Sequence, residues 1–265
     1  MKGQTTVSIL NEFPAFLLIL MRLTSVFVVI PIFSYRTIPA AVKLGLALIL
    51  SFIVTTVLVH KQPIQFNELY VLLISKEVLV GLTIGFVSGL IVYAIQFAGA
   101  FIDLQMGFAI ANTINPENGA TSPITGQFLY TLAILFFLGI NAHHMLLNGV
   151  LYSFSLVPIN QLSIHLMDGT TVHFVVTVFM QMVAISFQMA LPIVGSLFLV
   201  DVALGLVART VPQINIFVVG LPLKIVVGFI LLIFIFPILF IMFRSISDSM
   251  TQIMIEYMKY LGGTP

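Results

Sequence analysis

Long apolar runs separated by short polar gaps dominate this chain. The runs are Phe13–Phe33, Ile38–Val59, Leu69–Ile102, Ile124–Leu151, Val172–Val200 and Leu221–Phe243. Each has the roughly 20 residues a helix needs to cross a hydrocarbon core of about 30 Å. They predict an all-α membrane protein with roughly six hydrophobic segments. Pro14, Pro31, Pro39, Pro192, Pro222 and Pro237 lie within or beside them, which predicts kinked or hairpin-like helices rather than simple crossings. Two stretches break the pattern. Asp103–Pro123 mixes small, amide and apolar residues, and Asp201–Gly220 is apolar but holds Arg209, Pro212, Gln213 and Asn215. Irregular backbone at membrane depth must be covered by protein or line a wet cavity, so both are expected to line a channel or pack on other subunits. After Arg244 the pattern changes again. Ile246, Met250, Ile253, Met254, Tyr257, Met258 and Leu261 recur at helical spacing among polar residues, predicting an amphipathic helix that lies on the membrane or docks on a partner.

Composition fixes the solvent. Hydrophobic residues make up 60% of the 265 positions and charged ones 7%, too few to solvate a water-soluble domain of this size. Ten Lys and Arg against nine Asp and Glu give a net charge of +1, without the basic footprint that nucleic acid requires. Cys is absent, which removes disulfides and thiol chemistry, and Trp is absent, which leaves interfacial anchoring to Tyr35, Tyr70 and Tyr152. Lys and Arg divide almost evenly between the two sides of a six-span topology, so they do not orient the chain. The first span has no small-residue cleavage motif after it and is expected to be retained.

Few residues invite specific chemistry. Gly81, Gly85 and Gly89 share one helical face and specify a close backbone approach, to another helix of this chain or to another subunit. Arg22, Glu77 and Asp103 are charges at membrane depth. An unpaired one costs about 2.5–3.5 kcal/mol, so Arg22 is expected to pair with Glu77, Asp103 or Asp201. His143 and His144 are adjacent on a helix and point about 100° apart, which favours buried hydrogen bonding over a shared metal. Asp103 and Asp201 lack the setting of an intramembrane protease, and no catalytic constellation or cofactor motif is present.

Four blocks together carry a family resemblance: RLTSVFVVIPIFSYRTIPAAVKLGLALILS with Arg22 and Lys43; the Glu77, Gly81, Gly85 helix running into AGAFIDLQMGFAIANTINP; FFLGINAHHMLLNGVLYSFSLVP; and ARTVPQINIFVVGLPLK. In order and over most of the chain, they resemble the FliR family of flagellar export proteins and their counterparts in virulence type III secretion. Ala142 departs from the family's usual Gly before the His pair.

The resemblance implies a non-enzymatic subunit of a helical hetero-oligomer, the flagellar export gate in the bacterial cytoplasmic membrane at the basal body. Residues 1–165 look like a P-type subunit and residues 166–265 like a Q-type hairpin ending in the amphipathic helix. Implied partners are FliP-like and FliQ-like gate subunits, FlhB-like and FlhA-like export proteins, membrane lipid and unfolded flagellar proteins in transit. The segment from about 106 to 122 matches the family's pore loop, with Met106, Gly107, Phe108, Asn112, Asn115, Pro116 and Asn118 as its expected plug. Subunit contacts are expected at Gly81, Gly85, Gly89, Arg209, Pro212, Gln213, Asn215, Phe217, Pro222 and Lys224. The alternative from the residues alone is a stand-alone transporter or channel for small solutes, suggested by the intramembrane charges and broken helices.

Overall fold

The structure, a computed structural model, describes residues 2–34, 38–58, 66, 68–108, 123–211, 213 and 215–263. Among the described residues the chain is all helix and loop, with no strand. In order the helices are α1 (Lys2–Val29), α2 (Ala40–Leu58), α3 (Tyr70–Met106), α4 (Ile124–Gly139), α5 (Ala142–Leu156), α6 (Gly169–Thr210) and α7 (Ile216–Gly262). This agrees with an all-α membrane protein. Among the described residues five helices are long and apolar enough to cross a membrane, or six spans if α4 and α5 count as one broken span.

Pro31 and Pro39 mark a break, Pro31 in the turn after α1 and Pro39 just before α2, but the other four prolines do not. Pro14, Pro192, Pro222 and Pro237 all sit inside continuous helices. The one predicted span that breaks has no proline at its break. Ile124–Leu151 divides at Ile140–Asn141, where Asn141 adopts φ 60°, ψ 25°. Asn tolerates this left-handed conformation better than other residues with a side chain, and it ends one helix and starts the next. The gap expected at Asp201–Gly220 is also shorter than the sequence suggests, because α6 runs to Thr210 and α7 starts at Ile216.

Three helices exceed one membrane crossing. At 1.5 Å per residue, the 37 residues of α3 span about 55 Å, the 42 of α6 about 63 Å and the 47 of α7 about 70 Å. The amphipathic tail is therefore not a separate helix but the last third of α7.

The chain forms two compact units, each drawing on both sequence halves. The first comprises Met1–Leu90, Asn141–Val178 and Ser249–Pro265, and the second Ile91–Ile140 and Phe179–Asp248.

In the first unit, α1 packs against α2 and the start of α3. Gly81 and Gly85 provide the close approach. A Cβ at Gly81 would collide with Ser25 Oγ and lie 2.6 Å from the Arg22 carbonyl oxygen, and one at Gly85 would lie 2.9 Å from Val29 Cβ. Of the two readings of this glycine face, the contact with a helix of the same chain is the one these two residues make. Gly89 is buried as well. The Tyr70 hydroxyl donates to the Pro14 carbonyl at 2.7 Å and the ring packs with Leu18 and Leu73. Tyr70 is thus a core residue and not the interfacial anchor its position suggested; Tyr152 is half exposed, and Tyr35 lies outside the described residues.

The tail of α7 also docks at home. Met250, Met254, Met258 and Leu261 are fully buried. Met254 fills the space that Gly149 of α5 leaves open, Tyr257 stacks with Phe174, and the Leu261 carbonyl accepts from the His165 amide at 3.2 Å. The methionine stripe expected to meet a membrane or a partner covers its own chain instead. The unbranched thioether suits such irregular gaps.

Candidate functional site

Two constellations of polar residues lie within the apolar framework, one in each unit. In the first unit, Arg22 of α1 is completely buried and meets the equally buried Glu77 of α3. Its Nε donates to Glu77 Oε2 at 2.5 Å and its Nη2 to Glu77 Oε1 at 3.0 Å, a two-point ion pair. The remaining guanidinium protons reach the carbonyl and hydroxyl of Ser153 at 3.0 and 3.2 Å and the Val157 carbonyl at 2.7 Å. The Phe154 ring lies 4.4 Å from the guanidinium carbon. Lys76 completes the cluster, with its Nζ 2.5 Å from Glu77 Oε1 and donating to the Pro158 carbonyl at 2.7 Å. Of the three acids named for Arg22, Glu77 is the partner. The cluster ties α1 and α3 to the end of α5, where the Arg22 guanidinium reaches the Ser153 carbonyl in the last turn and the Val157 carbonyl just past it.

In the second unit the polar groups gather where α3 ends, next to the expected pore loop. Asp103 is buried and accepts the Thr125 backbone N–H at 3.1–3.2 Å on both carboxylate oxygens. Pro123 stands before α4 and offers no side-chain cap. Asp103 supplies one from across the loop, placing a negative charge at the positive end of the helix. Beside it the backbones of α3 and α4 touch: a Cβ at Gly99 would fall on the backbone of Gly126, and one at Gly126 would lie 2.8 Å from the Gln96 carbonyl oxygen. Both ends of the stretch between Asp103 and Thr125 are thereby held together.

The first residues of the expected pore loop are seated on α7. Gly107 has φ 90°, a conformation that side chains rarely adopt, and a Cβ there would also lie 2.5 Å from Leu221 Cδ2. Met106 is buried against Gly228, and the Phe108 ring meets Phe229 edge-on at 6.2 Å. Asn112, Asn115, Pro116 and Asn118 lie outside the described residues.

The Arg209–Lys224 block forms the turn between α6 and α7. Arg209 is exposed in the last turn of α6, where a cation complements the helix dipole. Gln213 is exposed, and the Asn215 carbonyl accepts from Val218 and Val219 to start α7. Pro222 is exposed on α7; Pro212 and the Phe217 side chain lie outside the described structure. Lys224 pairs with Asp201 of α6, its Nζ lying 2.9 Å from Oδ1 and 3.0 Å from Oδ2. Asp201 Oδ2 also accepts from Gln105 Nε2 of α3 at 2.8 Å. Gln105 and this partnership are absent from the sequence expectations. The available signal was symmetry, because Asp201 and Lys224 lie almost equally far from the turn at Gln213, and facing positions of a helical hairpin share that property.

The histidines depart from expectation. Their rings lie 4.2 Å apart, and the buried His143 Nδ1 has no hydrogen-bond partner. The buried hydrogen bonding expected there is not made at that atom.

Long apolar helices with polar residues spent on internal ties define a multi-helix membrane protein without a catalytic constellation among the described residues. The family described as bacterial export proteins, family 1, is matched over residues 13–250, and the chain belongs to it. It is similar to the flagellar biosynthetic protein FliR of Bacillus subtilis (strain 168), with 46% identity over 96% of this chain and 98% of that one. It is also similar to FliR of Escherichia coli (strain K12), 29% identical over 83% of each chain. The Yop proteins translocation protein T of Yersinia pestis is 31% identical over 82% of this chain and 83% of that one.

Proposed function

We propose that this chain is a subunit of the flagellar type III export apparatus in the bacterial cytoplasmic membrane at the basal body. With P-type and Q-type subunits it forms the channel through which unfolded flagellar proteins leave the cell. FlhA-like and FlhB-like export proteins are its further partners. The observation that carries this reading is the end-to-end likeness to a FliR protein at 46% identity, against 31% for the virulence relative.

The structure supports it in two ways. Residues of α2, α6 and α7 leave large apolar side chains uncovered, among them Phe52, Phe187, Phe198, Phe234 and Ile241. Uncovered apolar side chains of this kind suit neighbouring subunits and lipid. The intramembrane charges that motivated a solute transporter are consumed in internal ties, since Arg22, Lys76 and Glu77 serve one another and Asp201 serves Lys224 and Gln105. In this reading Met106–Ser122 narrows the pore, its small and amide residues sealing without a fixed charge that would select among substrates. The Arg209–Lys224 turn, mostly exposed, makes subunit contacts, and the buried Gly81–Gly89 face supports them by fixing α1 on α3. Residues 1–165 act as the P-type-like part and 166–265 as the Q-type-like hairpin.

Co-expression with P-type and Q-type subunits from the same cell tests the proposal. The expected result is a purified mixed complex that fails to form when this chain is omitted. A monomer or homo-oligomer that ignores both partners would defeat it.

A further inference from the structure

We propose that one face of α6 seats a membrane helix of a different subunit and recognises it through the side-chain amides of Gln181 and Gln188. The inference rests on the mixed-complex reading above and deepens it.

The whole face belongs to the second unit. Gln181, Ala184, Gln188, Leu191, Gly195 and Phe198 recur at alternating steps of three and four residues, and each is exposed or half-exposed. That 3.5-residue period is the mark of a seam that another helix covers. The neighbouring helix has nothing comparable, because the exposed side chains of α7 from Val218 to Ile241 are all apolar.

The two glutamines decide what covers the seam. They lie in a helix long and apolar enough to cross a membrane, yet neither side chain makes a hydrogen bond to any described residue. Pro192 adds to the demand. It has no N–H to give the Gln188 carbonyl, so a backbone acceptor is freed at the same residue. Lipid tails offer these groups no partner. Water would satisfy them, but it would also wet Leu191 and Phe198 on the same seam, which are 64% and 60% exposed. A helix that sets hydroxyl or amide side chains against the glutamines and apolar ones against Leu191 and Phe198 satisfies both sets. Ala184 is small, and Gly195 has nothing within 4 Å of where its Cβ would be, so the two backbones can come close.

Charge at the end of the seam disfavours a second copy of this chain. Arg209 continues the same repeat fourteen residues past Gly195, is exposed, and makes no ion pair among the described residues. Two copies inserted in the same direction would bring Arg209 against Arg209. The occupant is therefore a helix of another subunit, uncharged along the seam and neutral or acidic where it meets Arg209.

The test places the photoreactive residue benzoylphenylalanine at Leu191 in cells that also carry the P-type and Q-type subunits. After irradiation the expected product is a cross-link between this chain and one of those subunits, identified by mass. Gln188→Leu is expected to cut that product about three- to tenfold, the effect of one interhelical hydrogen bond in a membrane. The same variant purified alone stays monodisperse to the parental temperature, since the amide has no partner within the chain. Gln188→Asn keeps a donor and an acceptor and is expected to retain more of the product than Gln188→Leu. Gln181→Leu decides the matter if Gln188→Leu does not stay monodisperse. The chain has no Cys of its own, so Gln188→Cys reports access of water through a membrane-impermeant maleimide. It is expected to remain unlabelled in the assembled complex. Labelling there, cross-links to lipid alone or to a second copy, or parental cross-linking in the leucine variants overturns the seat. If the parental chain forms a mixed complex and one of those results is found, the seat falls alone. If it forms none, the mixed-complex reading falls and takes the seat with it.

Discussion

Glu77→Gln probes the buried charge cluster more severely than removal of its arginine. The Glu77 carboxylate is the one anion between two cations, with Arg22 Nε and Lys76 Nζ each 2.5 Å away. At an effective dielectric constant of about 20, each contact is an attraction on the order of 5 kcal/mol, mostly offset by the cost of desolvating the charges. Taking away one partner leaves that cost uncompensated, about 3–5 kcal/mol. With Gln at the position, two cations remain side by side without a counterion, and half of the amide presents donors to donors. Arg22→Met is the informative comparison. It deletes five hydrogen bonds. Yet Glu77 keeps Lys76, and the Ser153 carbonyl still accepts from the Val157 amide at 2.9 Å. The loss is then that of buried polar groups short of a partner, about 1–3 kcal/mol. At about 2–4 °C per kcal/mol, the Gln variant melts about 10 °C below the parent and the Met variant about 5 °C below. The assay is the fraction of detergent-purified chain that stays monodisperse after heating, because the protein contains no Trp to report unfolding. A Met variant that melts at or below the Gln variant would refute the argument that Glu77 serves both cations.

Further expectations follow from the glycine contacts, the helix cap and the tail. Gly81→Ala is expected to cost about 1–3 kcal/mol, because its methyl meets Ser25 Oγ and the Arg22 carbonyl, and to lower the melting point. Gly45→Ala has nothing within 4 Å and is expected to be neutral or to stabilise α2 by up to about 1 kcal/mol in the same assay. Asp103→Ala removes the buried cap of α4, an expected loss of about 0.5–2 kcal/mol, and protease cleavage between residues 103 and 125 should accelerate. Met254→Ala empties the space beside Gly149 and is expected to cost about 2–5 kcal/mol; an unchanged melting point would contradict the intramolecular docking of the tail.

The apolar runs determined by themselves that this is an all-α membrane protein, because burying so many large side chains among so few charges admits no aqueous fold. They also located the helices, although α1 starts and α6 and α7 end ten residues or more outside their runs, and the motif blocks identified the family. Periodicity predicted the buried stripe from Ile246 to Leu261 correctly but not its partner, since a helical face specifies that something covers it and not what does. The charges show the same division. Cost alone dictated that Arg22 be paired, but the choice of Glu77 over Asp103 and Asp201 depended on which helices come together. Proline was only a partial marker of breaks: Pro31 and Pro39 flank the one between α1 and α2, but four others sit inside continuous helices, while the left-handed Asn141 divides a span without one. In the junction of Gln105, Asp201 and Lys224, symmetry about the turn could signal the hairpin pair, but the arrival of Gln105 came only from tertiary structure. Three residues separated by 96 and 23 positions meet because three helices converge, and no local pattern encodes convergence.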